Sequence, residues 1–163
     1  MKGFSLSTRR QGSIKSELAL GDMFPGWKDG QEKILFVAPH DDDIVIGAGL
    51  LLQCFLASKV HVDVVITTDG AMGYYDDIDK DSISVTRKKE TENSFSILDL
   101  KKINWLHYPD CSLNTHCGRR RGTGKGPEEI AGYSGLQNSY TWILRKLRPT
   151  RIFVPTGEDL HPD

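Results

Sequence analysis

Apolar and polar positions along the chain fall into two alternating periods from Lys33 onward. "KILFVA", 33–38, is a short continuous apolar run, the pattern of a strand buried on both faces. "IVIGAGLLLQCFLA", 44–57, is too long for such a strand and predicts a packed helix, with Gly47 and Gly49 allowing close approach to a sheet. "VHVDVVITT", 60–68, is rich in β-branched residues and predicts a second strand. "SVTRKKETENSFSILD", 84–99, spaces its apolar residues helically, and "INWLHY", 103–108, predicts a third strand. "GLQNSYTWILRKLRP", 135–149, reads as a helix stopped by proline, followed by a fourth strand in "RIFVP", 151–155. Strands alternating with helices predict an α/β domain, a Rossmann-like, mostly parallel sheet with helices on both faces.

Residues 1–32 lack this pattern. They are polar and turn-rich, and are expected to form an N-terminal extension to the 33–163 domain, with one short helix near 13–20. The stretch 110–134 predicts a long exposed loop. Its "RRRGTGKGPEE" imitates a phosphate-binding loop but fails the pattern. Arg119 stands where the first glycine belongs, and Gly126 follows Lys125 in place of serine or threonine.

Composition narrows the class. A length of 163 residues suits one domain, and a formal net charge of −1 gives no whole-molecule attraction for nucleic acid. No apolar stretch reaches the roughly 18 residues of a membrane span. Three cysteines without a CxxC pair read as reduced thiols in a cytoplasmic protein. A homo-oligomer is left open.

The candidate chemistry lies in "APHDDDIVIGAG", 38–49. Three consecutive aspartates after a histidine repel one another unless a cation is near. They follow the first strand and open the first helix, at the carboxyl edge where open α/β sheets bind ligands. Histidine with aspartate suits zinc or a similar divalent metal. "PTGEDLHPD", 155–163, follows the fourth strand in the same way. With strand order 3-2-1-4, His161 would face His40 across one crevice. Of the other acids near strand ends, Asp69 and Asp110 could line that crevice or cap turns. Arg87 and Glu90 could form a surface ion pair. His61, His107 and His116 read as structural or surface residues.

"APHDDDIVIGAG" resembles the A-[HP]-H-P-D-D-E-x-x-G-x-G signature of the PIG-L/LmbE-like de-N-acetylases, and "DLHPD" resembles the start of their H-P-D-H motif. "TDGAMG", 68–73, and "TRKKE", 86–90, occupy places of further family segments. The resemblance implies a Zn2+-dependent hydrolase that removes the N-acetyl group from an N-acetylglucosamine-containing conjugate. It implies His40 and Asp43 as metal ligands, Asp42 as general base and His161 as the acid or oxyanion-stabilising residue. Arg87 and Asp110 would be substrate contacts. Asp41 departs from the family's proline, and Ile44 from its glutamate. The family's third zinc ligand would fall at position 164, so the domain is expected to continue past Asp163. The 163 residues alone are expected to bind zinc weakly, and to self-associate through an uncovered fourth strand. Two rival readings are a magnesium-dependent phosphoryl-transfer or receiver-like domain and a non-catalytic carbohydrate-binding relic. The first would want a lysine ending a late strand, which "RIFVP" does not supply.

Overall fold

A computed structural model describes residues 4–16, 19–100, 102–124, 129–157 and 163. Four strands make one parallel sheet: β1 (Lys33–Ala38), β2 (His61–Thr68), β3 (Ile103–Tyr108) and β4 (Arg151–Phe153). Their spatial order is β3-β2-β1-β4, the order expected from the sequence. Three helices connect them: α1 (Asp43–Ala57), α2 (Ile83–Ile97) and α3 (Leu136–Leu147).

The continuous apolar runs of β1 and β2 are explained by burial on both sides. Ile34, Phe36, Val64 and Ile66 join Leu52, Phe55 and Phe95 in one cluster. Leu35 and Val65 point the other way, to Leu106, Tyr108 and Ile143. Alternate residues of a strand face opposite sides, so the two clusters sandwich the sheet between α1 and α2 on one face and α3 on the other. Phe55 is fully buried and meets Phe24, Trp27, Phe36 and Phe153 with ring centroids 5.6–6.2 Å apart.

The N-terminal expectation needs correction. Ser13–Lys15 is not helical but pairs antiparallel with Thr8–Arg10, around a turn at Gln11 and Gly12, both with positive φ. The short helix follows later, at Leu20–Met23. Asn or Gly at a left-handed turn is a hairpin signal, and Gln11-Gly12 carries only half of it. Phe4, Leu6, Phe24 and Trp27 pack on the first core cluster, so this stretch covers part of the domain.

Within 110–134 the chain is more regular than a plain loop. A 3-10 turn, Leu113–His116, precedes two short antiparallel strands, Arg120–Arg121 and Tyr133–Ser134.

Candidate metal and catalytic site

The site is built where β1 ends and α1 begins. Thr68 fixes that end, its N–H and Oγ1 both donating to the Pro39 carbonyl at 2.9 and 2.8 Å. The next four residues are His40, Asp41, Asp42 and Asp43, and their side chains go to different places.

Asp43 is the first residue of α1, and its Oδ2 accepts the His40 backbone N–H at 2.9 Å. The same oxygen lies 3.4 Å from His40 Nδ1. Negative charge at a helix start is favoured by the dipole and the free amides there. Asp42 makes no side-chain cap and is 57% exposed, so its carboxylate stands open at the mouth of the crevice. Asp41 turns inward. Its carboxylate, 9% exposed, accepts from Arg87 Nε at 3.1 Å, from Arg87 Nη2, and from Thr91 Oγ1 at 3.1 Å. Arg87 thus pairs with the turn before α1, where its spacing to Glu90 had suggested a local surface pair.

The other ring nitrogen of His40 meets two distant acids. Its Nε2 lies 3.0 Å from Asp110 Oδ1 and 3.4 Å from Asp163 Oδ2. Asp110 is positioned by the turn after β3: its Oδ2 accepts the Met72 N–H at 3.2 Å, and its own N–H donates to Asp69 Oδ1 at 3.2 Å. Asp69 also accepts from the Ala71 N–H at 3.0 Å, so it ties turns together. Asp163 is held by the N–H groups of Cys111 and Leu113 at 2.6 and 3.0 Å. Those amides outweigh the burial that would raise its pKa, and keep it below the usual carboxylate range.

One imidazole therefore stands among three carboxylates. Hydrogen bonding to Asp43 raises the His40 pKa to about 9 against the opposing effect of burial, with the charge of Asp110 adding to the rise. His40 Nε2, Asp110 and Asp163 offer ligand atoms within 4.8 Å of one another, a group that could hold a metal ion. Imidazole with carboxylates is a donor set suited to zinc or a similar divalent ion, and a cation answers the surplus of negative charge. The residues fit a metal.

From the stretch after the fourth strand, Asp163 comes to the end of the first strand, at His40. His161 itself lies outside the described residues. Asp163 was missed as a candidate, although it ends the "HPD" stretch already singled out. His61 pairs with Asp63 at 2.9 Å, His107 stacks on Trp105, and His116 packs edge-on against Tyr108, as structural or surface histidines do. A cleft of about 640 Å³ opens beside the cluster, lined by His40, Asp42, Asp43 and Asp163 and by apolar residues including Ile46, Phe153 and Val154. Among the described residues, no helix is long and apolar enough to cross a membrane.

Comparison with known proteins places the fold. The chain is 34% identical over 136 residues to a diacetylchitobiose deacetylase of Thermococcus kodakarensis, covering 81% of this chain and 45% of that protein. It superimposes on N,N'-diacetylchitobiose deacetylase from Pyrococcus horikoshii, solved with its inhibitor MPG, with a TM-score of 0.61 and 31% identity. That match covers 80% of this chain and 44% of the other. A deacetylase of teicoplanin biosynthesis, solved as its teicoplanin complex, shares the fold at a TM-score of 0.57 and 16% identity. The chain thus spans less than half the length of the curated relative it matches. Residues 35–163 match the family model described as PIG-L, GlcNAc-PI de-N-acetylase, and with that match the chain belongs to the PIG-L family.

Proposed function

We propose that this chain carries the catalytic half-site of a zinc-dependent N-deacetylase, which hydrolyses the acetamide of an N-acetylglucosamine-containing conjugate to a free amine and acetate. The observation that carries the reading is His40 set among carboxylates at the carboxyl edge of a PIG-L family sheet, with Asp42 open to the cleft beside it. The named activity of the relatives, deacetylation of diacetylchitobiose, supports the substrate class.

His40 and Asp43 would hold the metal, with Asp110 and Asp163, at the other ring nitrogen, orienting the imidazole. Bound there, zinc would lower the pKa of a water towards about 7 and polarise the amide carbonyl. Asp42 projects into the cleft one residue from Asp43, so it can take the proton of the attacking water without leaving the helix start. As the C–N bond breaks, that proton can pass to the departing amine. His161, as an imidazolium, would steady the developing oxyanion. Asp110 could also meet a substrate hydroxyl from its place beside His40.

The domain is proposed to begin at Lys33, after an extension of residues 1–32. Cys54, Cys111 and Cys117, none of them in a disulfide, suit a cytoplasmic setting. Acetate release from diacetylchitobiose by the zinc-loaded protein tests the function. A protein that binds zinc at His40 but releases no acetate from any N-acetylglucosaminide would refute it.

A further inference from the structure

Arg87 reaches the site from α2 and is consumed there by other protein groups. Its Nε and Nη2 grip the two oxygens of Asp41, the two-pronged geometry that makes Arg–carboxylate pairs rigid as well as strong. Thr91, one turn further along α2, adds a third donor to the same carboxylate. The remaining Nη1 lies under the loop after β2: a side chain on Gly73 would overlap it. Nη2 also comes within 3.5 Å of Asp42 Oδ1.

We propose that Asp41 and Arg87 form a brace which positions Asp42. The catalytic half of this inference rests on the deacetylase reading. Asp41 and Asp42 are adjacent at the start of α1, so clamping Asp41 to α2 fixes the backbone that carries Asp42. The second edge of Nη2 then steers the Asp42 carboxylate. Removing one member of such a buried pair strands a charge, whereas removing both does less harm. The charge of Asp41 is thus met by Arg87.

The test uses Asp41→Asn, Arg87→Gln, the double variant and Arg87→Lys. Ile46 N–H donates to the Asp42 carbonyl at 3.0 Å, so its hydrogen exchange reports how firmly the first turn of α1 is held. Each single variant should speed exchange at Ile46 by about tenfold or more, with Ser58 at the far end of α1 unchanged. On diacetylchitobiose, kcat should fall by about 10–100-fold, with KM within about twofold for Asp41→Asn, and the double variant should be no worse than the poorer single one. Arg87→Lys keeps the charge but not the fork, so it should show the same kcat loss even if the uncharged variants fold badly. Unchanged exchange at Ile46, or a raised KM with kcat preserved, would overturn the brace. If the unaltered protein releases no acetate, the deacetylase reading fails, and the exchange rates alone decide the brace.

Discussion

His40 Nε2 and Asp110 Oδ1 lie 3.0 Å apart although 70 residues separate them in the chain. The contact closes the site across the sheet, from the end of β1 to the turn after β3. It also divides the work of the imidazole, since Nδ1 faces Asp43 while Nε2 faces Asp110 and Asp163.

That division makes the ligand set testable. Asp43→Ala is expected to lower zinc affinity as a lost ligand does. Asp110→Asn is expected to lower it by about 10–100-fold, the usual effect of an outer partner of a metal histidine. Competition titrations against a chelator measure both. A loss from Asp110→Asn as large as that from Asp43→Ala would make Asp110 a ligand itself.

Asp42→Asn keeps the shape and removes the base. Metal content should stay at its original level while acetate release falls by about 10²–10⁴-fold. Equal loss of metal in Asp42→Asn and Asp43→Ala would sink the separation of base from ligand.

The protonation of His40 sets a pH dependence. Its folded pKa is raised from 6.5 to about 9 by Asp43 and Asp110. The resulting stabilisation of the metal-free protein is full below pH 6.5 and disappears as pH climbs through about 9. Zinc needs the neutral ring, so binding near pH 7 should release a proton from His40, and affinity should rise with pH until about 9. Calorimetry in buffers of different ionisation enthalpy counts that proton; a His40→Gln variant should give none.

Packing sets the cost of damage to the core. Phe55 is buried among four aromatic rings, and Phe55→Ala is expected to cost about 3–5 kcal/mol in a denaturant titration. Trp142→Ala, on a partly exposed side of α3, should cost far less.

Much of this was legible in advance because burial on both sheet faces leaves a strong mark. The apolar runs of β1 and β2 gave their strands within a residue, and the placement of "HDDD" after β1 pointed to the candidate site. Other parts depend on contacts between distant residues, which periodicity does not carry. Arg87 looked like half of a helical i,i+3 pair, and only the folded chain brings it to Asp41. Asp110 was one of several acids at strand ends until the turn aimed it at His40. The hairpin at 8–15 was missed because its turn lacks the usual asparagine, and its strands are only three residues long.

The irregularity late in β3 has a consequence for how the family can vary. Between Ile66 and Thr68 the neighbouring strand advances from Trp105 to Tyr108, one residue more, and His107 absorbs the surplus in a left-handed conformation. That surplus residue acts as a spacer that sets the phase of everything after it. It turns Tyr108 into the core and lets Asp110 arrive beside His40. Insertions should be accommodated readily at Thr123 and Gly124, which are exposed. A single deletion between Trp105 and Asp110 would carry the carboxylate out of reach, so chain length in this short stretch is as much a part of the site as the side chains themselves.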